Sequence, residues 1–366
     1  MTRKLHGTRK AQQLDAIETA MKIQRTTSPR LMGTVSFNTR QKIRTGVSGC
    51  RKLAKAEKTN EHPIAQTNIR IGGRTLRLSN LDKVLYPKAG FTKAQVIDYY
   101  ARASQVLLPH LKDRALTMKR YPDGVEGEFF YEKRCPSFRP QWLKTAAIWS
   151  ARQNERISFC LANDLPSLIW AANLADLELH TSLARHQHPE RPTALAFDLD
   201  PGMGVNVVDC AEVAVWLRKF LGSQRLESFV KTSGSKGLQV YVPLNTAVTF
   251  DQTKRFARHV AEMLTTNHPD KIVFRMERRL RSGKVFIDWS QNDHHKTTVC
   301  VYSLRAKERP TVSTPLTWEE VNQARAKSAT RLSFDSNDVL KRIEKLGDLF
   351  EPVLKMKQHL PRLSSD

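Results

Sequence analysis

Asp198 and Asp200 stand two residues apart at the end of an apolar run, 194–197. If that run is a strand, residues i and i+2 point to one face and the two carboxylates sit side by side. Like charges that close repel, and the arrangement is costly unless a cation lies between them. Hard carboxylate oxygens suit Mg²⁺ or Mn²⁺. Asp-Pro-Gly at 200–202 also reads as a simple turn. Asp288 closes another apolar run, and in two-metal sites a third carboxylate completes the shell around the ion that activates a nucleophile. Between them lies Thr-Ser-Gly-Ser-Lys-Gly-Leu-Gln at 232–239, whose glycines, hydroxyls and Lys236 suit a phosphate cradle. The P-loop spacing is missing and a strand follows, so by itself the segment also reads as a hairpin loop. Arg281, Lys296 and Arg305 lie near Asp288 in sequence and supply cations for phosphate, or are ordinary surface charges.

The elements that must position these groups follow from periodicity. A Gly72-Gly73 turn between 69–71 and 75–78 predicts a hairpin. Thr92 as N-cap, with Val96, Ile97, Tyr100, Ala103 and Leu107 on one side, predicts a helix over 92–108. Further strands are expected at 115–121, 156–160, 176–180, 194–197, 229–232, 238–242, 284–289 and 296–303. Helices are expected at 167–175, 207–221, 249–267, 318–326 and 339–345. Many strands are neighbours in sequence, so the expected fold class is α+β with a mostly antiparallel sheet flanked by helices.

The chain has 366 residues and a net charge of +24. Such an excess of Lys and Arg points to a polyanionic partner, and nucleic acid is the commonest one. Residues 1–66 carry fourteen Lys and Arg against four acids, with Phe37 as the sole aromatic. They are expected to form a largely flexible basic arm, with one helix over 12–25, ahead of a globular domain at 67–360. No apolar run is long enough to cross a membrane, and the basic N-terminus lacks the apolar stretch of a secretory signal. The five cysteines are scattered and never spaced CxxC, which argues against a disulfide framework and fits a reducing cytoplasm.

Taken in order, these blocks resemble the polymerase domain of bacterial DNA ligase D, in the archaeo-eukaryotic primase superfamily. The matching residues are LSNLDKVLYP at 78–87, DYY at 98–100, KRYPDGV at 119–125, FYEK at 130–133 and LELH at 177–180. FDLDP at 197–201, TSGSKGL at 232–238, VFIDWSQN at 285–292, KTT at 296–298 and YSLR at 302–305 continue the match. The resemblance implies a primase-polymerase fold and a metal-dependent, template-directed nucleotidyltransferase. Such an enzyme fills gaps at 5′-phosphorylated DNA ends during non-homologous end joining. It implies that Asp198, Asp200 and Asp288 hold two divalent ions, Mn²⁺ or Mg²⁺. Lys119, His180, Ser233, Lys236, Gln239, Arg281, Lys296 and Arg305 would line the nucleotide pocket. Asn80, Lys83 and Lys93 would grip the DNA 5′-phosphate, and Phe130 and Tyr131 would stack on template bases. Implied partners are gapped or overhanging DNA, an NTP or dNTP, Ku, and a separate ATP-dependent ligase, since no Lys stands in a KxDG setting. A bacterial cytoplasm, at the nucleoid, is the implied location.

One position departs from the family. Where relatives read Gly-Leu-His, this chain reads Gly237-Leu238-Gln239. Gln donates a hydrogen bond but carries no charge, so a weakened phosphate contact is expected. The rival reading is therefore a DNA-end-binding subunit that synthesises little.

Overall fold

The computed structural model describes residues 66–151, 153–326 and 332–362. The expected helix at 12–25 and the basic arm up to residue 65 lie outside the described residues, and Gln66 opens the first strand. β1 (Gln66–Ile71) and β2 (Arg74–Ser79) form the hairpin read from the Gly-Gly turn. A short ribbon follows, β3 (Val84–Tyr86) with β4 (Phe91–Thr92). The first helix, α1 (Lys93–Leu111), starts where Thr92 accepts from the Gln95 backbone and the Gln95 side chain accepts from the Thr92 backbone. That reciprocal cap satisfies two of the amide donors a helix start leaves unpaired.

The remaining strands divide into two sheets rather than one. One has the order β13 (Ile272–Val273), β14 (Val285–Asp288), β10 (Ala194–Pro201), β12 (Leu238–Pro243), β11 (Phe229–Thr232), β18 (Pro315–Leu316). All its pairings are antiparallel except β13 with β14. The other runs β15 (Thr298–Val299), β9 (Asp176–Thr181), β5 (Leu116–Arg120), β8 (Glu155–Cys160), β7 (Thr145–Ser150), with β6 (Phe130–Glu132) also on β5. A last ribbon joins β16 (Leu304–Ala306) to β17 (Pro310–Val312). Helices α2 (Leu165–Asn173), α3 (Val207–Ser223), α4 (Phe250–Asn267), α5 (Trp318–Ala326), α6 (Ser336–Leu346) and α7 (Pro352–Lys355) complete the fold.

Alternation along β10 decides where the chemistry sits. Leu195, Phe197 and Leu199 are fully buried in one cluster with Leu217 of α3 and Phe256 of α4. Ala194 and Ala196 face the other way and join the core beneath the second sheet. Asp198 and Asp200 continue that second face, so they emerge between the two sheets.

Two expectations need correction. The strand expected over 296–303 shortens to Thr298–Val299. Tyr302 adopts a left-handed φ of 64°, which turns the chain out of the sheet toward Ser313. The expected absence of disulfides fails at one pair: Cys135 and Cys160 are bonded to each other. The Cys135 amide donates to the Ser158 carbonyl, so the segment after β6 lies along β8 and brings the two side chains together. A separation of 25 residues gives no motif from which to foresee it. Among the described residues, Cys210 and Cys300 are free and buried. No described helix is long and apolar enough to cross a membrane.

Candidate active site

Strand register brings the acids together. Asp198 on β10 lies directly opposite Asp288 on β14. On its other side it lies opposite Gln239 on β12, and Gln239 in turn opposite Lys231 on β11. Partners directly opposite on antiparallel strands share a face. The row across four strands therefore reads Asp288, Asp198, Gln239, Lys231, with Asp200 two residues along β10.

The electrostatics of the row are those of a cation site. Oδ1 of Asp198 is buried and has no hydrogen-bond partner. Burial, and behind it the Asp200 carboxylate, pushes the Asp198 carboxyl well above the usual range, while a hydrogen bond from Gln239 opposes that shift. Burial and Asp288 likewise raise Asp200, against Arg281 and Arg305. Asp288 is better supported: Oδ1 accepts from the Ser290 amide at 2.9 Å and hydroxyl at 2.6 Å, and Oδ2 from Gln291 Nε2 at 3.0 Å.

A cleft of about 610 Å³ opens over Asp198, Asp200 and Gln239, lined from both sheets. It takes in eight expected residues: Asp198, Asp200, His180, Ser233, Lys236, Gln239, Arg281 and Arg305. Arg278 and Lys307 also line it and were not foreseen. Asp288, Lys119 and Lys296 do not line it. Lys296 is exposed, next to the lining residue Thr297. Lys119 sits on β5 with its Nζ 4.3 Å from the Phe129 ring centre and 5.6 Å from that of Tyr131.

The loop after β11 is built by close approach. The Ser233 amide donates to the Gly237 carbonyl, and Ser233 Oγ accepts from the amides of Ser235 and Gly237. A Cβ on Gly237 would fall 2.0 Å from the Leu199 carbonyl oxygen, and one on Gly202 would fall 1.7 Å from that of Arg281. Only glycine lets these segments pass so near the acidic strand. Arg305 donates to the Ser233 carbonyl, fixing the loop to β16.

A residue with no foreseen role anchors the cations. Glu178 on β9 is 1% exposed. Its carboxylate lies 3.1 Å from His180 Nε2, 3.2 Å from Arg305 Nε and 3.5 Å from Lys119 Nζ. It also accepts from the Ala306 amide at 3.0 Å. Burial works to raise its pKa, but His180, Arg305 and Lys119 outweigh burial and hold it well below the usual carboxylate range. His180 is held below its ordinary value by burial, with Glu178 opposing. The signal available in sequence was only its place two residues before His180, on the same face of a strand.

The other expected groups fall as follows. Asn80, Lys83 and Lys93 meet at the start of α1. The Lys83 amide donates to the Asn80 carbonyl and the Lys93 amide to the Lys83 carbonyl. Lys93 Nζ is buried against the Ser79 carbonyl at 2.9 Å, and Lys83 pairs with Asp123 at 2.7 Å. Phe130 and Tyr131 are both exposed but alternate along β6. Tyr131 turns toward His180 and Lys119, whereas Phe130 covers Arg120. The aromatic that shares the Tyr131 face is Phe129, with ring centres 6.0 Å apart.

Comparison with known proteins agrees with this geometry. Residues 92–350 match the family model for the LigD primase-polymerase domain. The multifunctional non-homologous end joining protein LigD of Mycolicibacterium smegmatis is 40% identical over 280 residues, covering 76% of this chain and 36% of the relative. The bifunctional LigD of Bacillus subtilis is 33% identical over 289 residues, covering 78% of this chain and 45% of the relative. The chain thus spans less than half the length of these relatives. The polymerase domain from Mycobacterium tuberculosis ligase D, solved in complex with DNA, superposes with a TM-score of 0.72 at 37% identity, covering 77% of this chain and 99% of that one. This chain belongs to the LigD primase-polymerase domain family.

Proposed function

We propose that the protein is a template-directed nucleotidyltransferase that extends a DNA or RNA 3′ end across gaps at 5′-phosphorylated breaks, in non-homologous end joining. The observation that carries the reading is the Asp288–Asp198 register with Asp200 alongside, crowned by a cationic cleft. Two divalent ions, Mn²⁺ or Mg²⁺, bound by Asp198, Asp200 and Asp288 would supply charge for activating the 3′-hydroxyl and neutralising the triphosphate. Arg281, Arg305 and Lys236 face the cleft and stabilise charge where it accumulates on the phosphates. Ser233 folds the loop that carries Lys236, its Oγ accepting from the Gly237 amide and its carbonyl from Arg305. Lys119 and Tyr131 form a wall next to His180 against which a base can stack. Incubated with Mn²⁺, NTPs and a gapped, 5′-phosphorylated duplex, the protein is expected to add the nucleotide complementary to the template. Tight binding of that DNA with no extension would instead establish an end-binding subunit, the reading that Gln239 raised. Ku and a separate ligase belong to the same proposal, as does a site of action at the bacterial nucleoid.

Asn80, Lys83 and Lys93 are proposed to take the 5′-phosphate. Burial, with Lys83 and Arg120 behind it, pushes the Lys93 ammonium down to about 8. A lowered lysine is charged below that value and loses its proton above it, while a bound phosphate dianion raises it again. Preference for 5′-phosphate over 5′-hydroxyl ends is therefore full near pH 7 and falls by up to about tenfold toward pH 9. Anisotropy titrations of the two DNAs at both pH values check this, and a preference independent of pH would count against Lys93.

Residues 1–66 are proposed as a sequence-independent DNA attachment. Removing them should weaken binding and reduce the slope of log affinity against log salt. Equal slopes with and without the arm would refute the role.

A further inference from the structure

Lys231 lies in the middle of the fold, 1% exposed, at the end of the row beyond Gln239. Its Nζ has three neighbours at hydrogen-bond distance: Gln239 Oε1 at 2.5 Å, Ser313 Oγ at 2.6 Å and the Val299 carbonyl at 3.1 Å. Ser313 Oγ itself donates to the Thr232 carbonyl, so toward Lys231 it accepts. Three acceptors around one ammonium use all three of its donors. The amide of Gln239 is thereby polarised from behind. Its oxygen is held by the lysine, and its NH₂ is left for the side of Asp198, which lies directly opposite on β10.

We propose that Lys231 is a positioning residue for the metal-and-phosphate site, acting through Gln239, and that having glutamine at this position makes the lysine necessary. The inference rests on the polymerase reading above and deepens it. An amide has one donor end and one acceptor end and swings on three side-chain torsions, so it presents a donor at a fixed point only if its oxygen is tied down. A neutral imidazole offers a donor from either nitrogen, is rigid, and swings on two torsions. It needs the lysine far less. With methionine at 231, Gln239 Oε1 would be a buried acceptor without a donor, and the side chain would turn toward water in the cleft. Partners that orient the groups around a metal are each worth about 10–100-fold in metal affinity or activity.

The test compares four full-length proteins: wild type, Lys231→Met, Gln239→His, and the two combined. Two readouts are taken: kcat for gap extension, and Mn²⁺ affinity in the absence of DNA and nucleotide, from the electron paramagnetic resonance of free Mn²⁺. In the wild-type background, Lys231→Met is expected to lower kcat about 10–100-fold and to weaken Mn²⁺ binding. In the Gln239→His background the same change is expected to cost about threefold or less. Equal losses in both backgrounds, or none beside Gln239, would overturn the proposal, because a lysine needed only for folding acts alike in both. Should Lys231→Met unfold, Gln239→Met replaces it. That variant removes the amide and leaves Lys231 with Ser313 and Val299. It must reproduce the loss in Mn²⁺ affinity, and unchanged affinity overturns the proposal. A wild type that extends nothing sinks the polymerase reading alone, since the Mn²⁺ titrations still decide what Lys231 does.

Discussion

Asp198→Asn is expected to lower primer extension by about 10³-fold or more while making the protein more stable. Both effects come from one carboxylate. Asp198 lies between Asp288 and Gln239 in register, with one buried oxygen unpartnered, so folding forces a charge into repulsion that the unfolded chain does not feel. A carboxyl whose pKa is raised on folding disfavours the folded state above that raised value, and the penalty vanishes below the ordinary Asp value of about 3.9. The asparagine variant should therefore gain about 1 kcal/mol near pH 8, with the difference closing near pH 3.5. Mn²⁺ should raise the melting temperature of the wild type, by mass action on the folded state, and leave the variant unmoved. Denaturant melts at the two pH values, with and without Mn²⁺, read all three effects. Lost activity together with lower stability at pH 8 would mean that Asp198 serves the fold instead.

Glu178→Gln should have the opposite sign on stability and a smaller effect on catalysis. Its carboxylate anchors Lys119, His180 and Arg305 from a position 1% exposed. Removing one member of a buried charge cluster strands the others, and costs of about 3–5 kcal/mol are usual. A carboxylate held below its ordinary value contributes stability that is full above about pH 4.3 and is lost as pH falls toward the lower folded-state value. The gap between wild type and variant is therefore widest at neutral pH and narrows in acid. In catalysis, Arg305 loses one of its two supports, since it also donates to the Ser233 carbonyl. His180 and Lys119 lose their shared anchor, and kcat/KM for the incoming nucleotide should fall about 10²-fold. Equal stability of the two proteins at pH 7 would show that the cluster is held by something else.

The difference between these two residues also marks how far the sequence could be read. The Asp-x-Asp strand was legible because a period of two places both side chains on one face whatever the rest of the chain does. The helix starting at Lys93 was legible because Thr92 and Gln95 cap it locally. Glu178 was not, because it sits between Leu177 and Leu179 in a run that reads as ordinary buried strand, and its three partners come from β5, β9 and β16. Lys231 was hidden for the same reason: one lysine in Phe-Val-Lys-Thr looks like a solvated face until β11 is found inside a six-stranded sheet. The Cys135–Cys160 bond depends on a loop lying along β8, which no spacing announces. Phe129 had no foreseen role, because the resemblance implied Phe130 and Tyr131, and the contact of Phe129 with Tyr131 appears only once β6 places alternate residues on one face.

The central claim is that Asp198, Asp200 and Asp288 share divalent cations beneath a bound triphosphate. Crystals grown with Mn²⁺ and a non-hydrolysable nucleoside triphosphate, measured at a wavelength where manganese scatters anomalously, test it directly. Anomalous peaks should lie among those three carboxylates, with the phosphates reaching toward Arg281, Arg305 and Lys236. A triphosphate bound in the cleft with no manganese at the three aspartates, or with manganese elsewhere, would contradict the account.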